Sequence, residues 1–194
     1  YSIMKKILFV LILITSIVYA QEFTVTPTGL KDNANLEKTY VVINTAGKTA
    51  EQNYNNAMKY INKTYKSPKD VIKGDVKGEY ISFDTHVSDF LIVKNSGVKV
   101  VIDANYTIEL SFKGERVKLE AINLDMHTQT PTAAGNMYVL FTGSIWSGYP
   151  IYKKKKNKLI RPETKTDVES YFNNKINTIK GYLLEEANTT DDDW

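Results

Sequence analysis

Two strictly alternating segments joined by a two-residue turn constrain this chain most. They are Tyr106-Thr-Ile-Glu-Leu-Ser-Phe112 and Val117-Lys-Leu-Glu-Ala121, with Gly114-Glu115 between them. A period of two sends successive side chains to opposite faces of a strand, and glycine in the first turn position matches the twist of an antiparallel hairpin. The implied register sets Phe112 against Val117, Leu110 against Leu119 and Ile108 against Ala121. These apolar pairs share one face; Glu109, Ser111, Lys113, Arg116, Lys118 and Glu120 share the other. A sheet with one apolar face needs a cover, which in a chain of this kind comes from helices.

Two helices are readable. Thr49 followed by Gln52 fits a capping box, and Tyr54, Ala57, Met58, Ile61 and Tyr65 recur at the spacing of one helical face, with Pro68 read as the end. Nearer the C-terminus, Thr166 with Glu169 reads as a second capping box. It leads into the stripe Val168, Phe172, Ile176, Ile179 and Leu183, running to about Glu186. Between the helices the β-branched content is high. Strands are expected at residues 71–76, 80–83, 90–93 and 98–102, after a first strand at 39–45. Residues 126–150 resist assignment: 130–135 reads as loop, and Tyr138-Val-Leu-Phe141 as a short strand or buried turn.

The N-terminus reads as an export signal over residues 4–20. Met4 is followed by Lys5 and Lys6, an apolar run from Ile7 to Val18, and the small-residue pattern ending at Ala20. That run falls short of the roughly 20 residues a membrane-spanning helix needs, and no later segment is long and apolar enough. The expected product is a periplasmic or extracellular α+β domain at 21–187, with an aromatic and glycine-rich loop insertion near 127–150 and a disordered tail at 188–194. With no cysteine in the chain, disulfides, thiolate metal sites and lipoprotein acylation are all excluded.

The order of elements and several short texts resemble a bacterial family of exported Bacteroidetes-type proteins, a domain of unknown function with a TATA-binding-protein-like (TBP-like) fold. The texts are Tyr40-Val-Val-Ile43, Asn53-Tyr-Asn-Asn-Ala-Met-Lys-Tyr-Ile61 leading to Ser67-Pro-Lys-Asp-Val-Ile72, the hairpin from Tyr106 to Gly114, and Ser170-Tyr-Phe-Asn-Asn174. The resemblance implies one curved antiparallel sheet covered by two helices, in the order β-α-β-β-β-β-α. It implies no activity and no functional residue, since a fold does not dictate a function.

The residues themselves favour a binding role over catalysis. No nucleophile elbow, phosphate-cradling glycine loop or two-histidine zinc helix occurs, and His86 and His127 lack partners at metal-ligand spacing, so neither a cofactor nor a metal is expected. Glu109 and Glu120 face each other across the hairpin, but beside Lys118 they read as surface ion pairing. The formal net charge of +3 includes Lys5 and Lys6, so the remainder carries +1, too little for a nucleic-acid partner. Tyr138, Trp146, Tyr149 and Tyr152 crowd one segment beside Lys153 and Lys154, the start of a lysine run reaching Lys158. Together these residues form the candidate recognition surface for an envelope protein or a ligand. The aromatics read first as core folded over the open end of the sheet and second as that recognition surface. The lysine run reads first as a solvated turn and second as a contact for a membrane surface. The alternative function is a hydrolase or lipid-handling protein with a pocket between sheet and helices.

Overall fold

The computed structural model describes residues 22–129 and 135–185. The expected signal peptide at 4–20 and the tail at 188–194 lie outside the described residues. The chain is α+β. Its ten described strands are β1 (Phe23–Thr26), β2 (Gly29–Asp32), β3 (Tyr40–Asn44), β4 (Ile72–Val76), β5 (Tyr80–Asn95), β6 (Val98–Lys113), β7 (Arg116–Thr128), β8 (Val139–Gly143), β9 (Tyr149–Lys153) and β10 (Lys158–Leu159). The helices are α1 (Ala50–Thr64), the single turn α2 (Pro68–Val71) and α3 (Pro162–Leu184).

The alternating hairpin is the centre of the main sheet, whose antiparallel strands run β3-β7-β6-β5-β4. Its register is the expected one, pairing Phe112 with Val117, Leu110 with Leu119 and Ile108 with Ala121. The strands outrun the alternating text. Residues 80–83 and 90–93 belong to one strand, as do 98–102 and 106–112. The pairing of β5 with β6 shifts between Val87 and Leu91, where Asp89 takes φ 53° and its N–H donates to Asp103 Oδ1 at 2.9 Å. The pairing of β6 with β7 shifts between Asn105 and Thr107, opposite Asn123 at φ 54°. Such bulges bend strands without ending them, so the polar residues that mimic turns in the sequence lie inside continuous strands.

Helices α1 and α3 cover the apolar face. From α1, Tyr54, Ala57, Tyr60 and Ile61 are buried; from α3, the whole expected stripe of Val168, Phe172, Ile176, Ile179 and Leu183 is buried. They close over Ile81, Phe83, Ile108, Leu110, Val117, Leu119, Val41 and Ile43. The Thr49/Gln52 capping box forms at α1. Pro68 does not end that helix, which stops at Thr64; it opens α2 instead, where its missing N–H costs nothing.

The second capping box does not form, because α3 starts one turn earlier, at Pro162. Glu169 is drawn away by a stronger partner. Its carboxylate accepts from Thr24 Oγ1 at 2.7 Å and from the Val25 N–H at 2.8 Å, and pairs with Lys165 one turn back. One turn further on, Asn173 accepts from the Phe23 N–H at 2.7 Å and donates to the Phe23 carbonyl at 3.1 Å. These two side chains strap β1 onto α3. The hairpin of β1 and β2 forms a separate two-stranded sheet that the sequence reading did not contain. A three-stranded sheet, β10-β9-β8, takes β8 and the start of β9 from the segment that resisted assignment and the rest from the lysine-rich stretch that follows it.

Candidate functional site

The small sheet positions the candidate site. Strands β8 and β9 are parallel, pairing Val139 with Tyr149 and Gly143 with Lys153. Parallel neighbours commonly need a crossover of a dozen or more residues. Here residues 144–148 suffice, since each strand has only five residues. That return path is tight. Gly148 takes φ 143°, and a Cβ there would collide with the Tyr138 carbonyl. The same carbonyl accepts from the Tyr149 N–H at 2.8 Å and starts β9.

At the apex of this connection is a turn held by serines. The Ser147 N–H donates to the Ser144 carbonyl at 3.0 Å, and Ser147 Oγ donates to the same oxygen at 2.7 Å. Ser144 N–H donates to Ser147 Oγ at 3.2 Å, while the Trp146 N–H donates to Ser144 Oγ at 3.3 Å. The two middle residues are thereby pushed outward. Ile145 is 61% exposed and Trp146 91%.

Across from the turn, β9 runs into the lysine hairpin. Lys154 N–H donates to the Gly143 carbonyl at 3.1 Å, fixing the lysines against the base of the serine turn, and Asn157 at φ 46° turns the chain back to Lys158. A groove of about 630 Å³ lies between the two, walled by Ile145 and Trp146 on one side and Lys153, Lys154 and Lys155 on the other, with Ile160 and Arg161 at its end. That volume falls within the range of small-ligand sites. Among the described residues, no carboxylate pairs with Lys153, Lys154, Lys155, Lys156 or Lys158. Arg161 is committed elsewhere: it donates to the Lys94 carbonyl and Asn95 Oδ1 at 3.2 and 3.3 Å and lies 5.4 Å over the Tyr149 ring. Its Nε is buried with no partner.

The structure thus divides the candidate residues. Trp146, Lys153 and Lys154 line one groove. Tyr149 is 7% exposed and belongs to the core, its ring lying beneath Arg161 and its hydroxyl directed to Met137 Sδ. Tyr152 is half-buried, and its hydroxyl donates to the Val25 carbonyl, where burial raises its pKa. Tyr138 is 40% exposed but lies against His127, with ring centroids 6.5 Å apart, away from the groove. The core alternative therefore holds for Tyr149 and Tyr152, while exposure singles out Trp146. Ile145 and Ile160 are lining residues that the sequence reading missed, although Ile145 and Trp146 between two serines carried a turn signal, and Lys155 entered only as part of the lysine run.

Several other polar clusters are engaged internally. On the open face of the main sheet Glu109 and Glu120 are directly opposed, an unfavourable like-charge pair. Tyr80 Oη donates to Glu109 at 2.6 Å, and Lys118 pairs with Glu120 at 3.3 Å while lying 5.2 Å over the Tyr40 ring. Under the helices, the Tyr106 and Tyr171 hydroxyls are 2.6 Å apart, and Lys175 donates to Tyr60 Oη at 3.4 Å. Burial lowers the Lys175 pKa and raises those of all three tyrosines. Tyr60 and Tyr106 are sealed from solvent, so this cluster is core. His86 is bonded to Asn105 and Ser88, and His127 to Asp125. Among the described residues no group of three or more His, Asp or Glu side chains is arranged to hold a metal ion.

No family model matches the sequence, and no curated protein does. Solved structures do match by shape. A DUF4468 family protein from Bacteroides ovatus ATCC 8483 aligns over 77% of this chain and 86% of its own length, at 14% identity and a TM-score of 0.50. A TBP-like protein from Parabacteroides distasonis ATCC 8503 aligns over 74% and 90%, at 11% identity and a TM-score of 0.49. The first match agrees with the fold that the resemblance implied, an antiparallel sheet under helices. At such low identity the likeness concerns the fold alone.

Proposed function

We propose that this chain is a non-catalytic module of the cell envelope, exported through its N-terminal segment, which binds a ligand joining anionic groups to an apolar part. Its site is the groove between the serine-held turn and the lysine hairpin. One observation carries the reading: Trp146 is almost fully exposed on a hydrogen-bonded turn, facing three lysines that no described carboxylate neutralises. Leaving so large an aromatic side chain in water forgoes roughly 2–3 kcal/mol of burial, and crowding like charges opposes folding, so neither feature serves the fold. The groove lining has no carboxylate, imidazole or nucleophile–base pair, which favours binding over hydrolysis. A nucleic-acid role on the open sheet face is disfavoured by Glu109 and Glu120, whose charges repel phosphates.

Titration calorimetry with monomeric dodecyl phosphate tests this reading. Binding is expected for the native protein, with dodecyltrimethylammonium excluded and affinity reduced at least tenfold in Trp146→Ala and in Lys154→Gln. Equal affinity for the cationic amphiphile, or unchanged affinity in both variants, would refute it.

A further inference from the structure

We infer that the physiological ligand of this groove is an anionic lipid bilayer, met by insertion of Ile145 and Trp146 into the headgroup layer while the lysine hairpin lies on the phosphates. The inference rests on the proposed binding function and names its partner.

Three observations carry it. First, the protruding pair is apolar and contiguous, and the serine bonds fix its direction before any contact, so little ordering is lost on docking. Tryptophan is the side chain most at home at the boundary between headgroups and hydrocarbon. Second, residues 153–161 hold six basic side chains and no acidic one: Lys153, Lys154, Lys155, Lys156, Lys158 and Arg161. The five lysines are exposed and free of ion pairs among the described residues, so their charges are available to a planar array of phosphates. Third, the lysine hairpin adjoins the apolar turn through the bond from Lys154 N–H to the Gly143 carbonyl, so one approach engages both.

A protein partner fits less well, because lysine is depleted from the cores of protein interfaces. A polyanionic glycan would use the lysines and leave Ile145 without purpose. Among the described residues no helix is long and apolar enough to cross a membrane.

The test is co-sedimentation of the protein lacking residues 1–20 with vesicles. One set is pure phosphatidylcholine and the other contains about one-third phosphatidylglycerol; dextran sulfate and monomeric dodecyl phosphate serve as comparison ligands. Binding is expected to the anionic vesicles only. It should weaken about thirtyfold in Ile145→Ser/Trp146→Ser, from the lost apolar burial. It should weaken about a hundredfold in Lys153→Gln/Lys154→Gln/Lys155→Gln, at about fivefold per lysine. All of these positions are exposed, so the melting temperature should not fall in either variant. Failure to bind anionic vesicles while dodecyl phosphate still binds would overturn the bilayer and leave the proposed function standing. Failure of both would remove both. Equal affinity for dextran sulfate, insensitive to the Ile145/Trp146 substitution, would overturn the bilayer in favour of a glycan.

Discussion

Glu169 offers the sharpest test of how the fold is held. Its carboxylate is one-fifth exposed and receives Thr24 Oγ1, the Val25 N–H and Lys165. Glu169→Ala leaves the N–H of Val25, a buried residue, without an acceptor, at about 1–3 kcal/mol. The lost bond from Thr24 adds about 1 kcal/mol, and the partly exposed pair with Lys165 adds little. The expected cost is about 3 kcal/mol, or roughly 6–12 °C in melting temperature for a chain of this size. Glu169→Gln keeps a carbonyl acceptor and loses only charge assistance, so about 1 kcal/mol is expected.

The pH dependence separates these effects. Burial pushes the Glu169 pKa up, but the bonds from Lys165, Thr24 and Val25 outweigh it and hold the group below its ordinary value. A carboxyl lowered by folding stabilises above its unfolded pKa of about 4.3, and that stability is lost as pH falls through the lowered value. Thermal unfolding of wild type and Glu169→Gln, followed by circular dichroism from neutral to acid pH, should show a gap that closes in acid. A gap absent at neutral pH, or one that persists unchanged in acid, would refute the strap between β1 and α3.

Gly148→Ala should lower stability by about 3 kcal/mol or more in denaturant melts, because a Cβ meets the Tyr138 carbonyl at a φ that L-residues avoid. Alkaline titration followed by tyrosine absorbance should separate the tyrosines. Tyr54, raised by burial and then by Asp75, should ionise at about 12, while Tyr60 and Tyr106 ionise only on unfolding. Raised tyrosine pKa values stabilise below the unfolded value, so stability should fall as pH climbs past about 10. Normal ionisation of all tyrosines in the folded protein would contradict the sealed cluster.

What could be read from the sequence was local and periodic. The hairpin from Tyr106 to Ala121 was legible down to its register, because alternation and the turn dipeptide at Gly114 agree. The buried stripe on α3 was legible for the same reason, as was the cap at Thr49. Bulges were not: residues 84–89 and 103–105 fell outside the expected strands, because the polar residues near the register shifts mark turns and bulges alike. Glu169 was misread because a local capping pattern cannot reveal an acceptor needed by Val25, 144 positions away. Trp146, Lys153 and Lys154 were legible as candidates by composition. That Tyr149 turns inward and Trp146 outward depends on the crossing of β8 and β9, a tertiary event with no periodic trace.

The central claim, a groove built around an exposed tryptophan for an anionic amphiphile, is tested most directly by the fluorescence of Trp146. Trp194→Phe makes Trp146 the sole tryptophan, since the chain contains two. At 91% exposure it should emit as a water-exposed indole and be readily quenched by iodide. Dodecyl phosphate should shift its emission to the blue and protect it, with saturation and with loss of the effect in Lys153→Gln/Lys154→Gln/Lys155→Gln. Emission and quenching that stay unchanged across the titration would contradict the account.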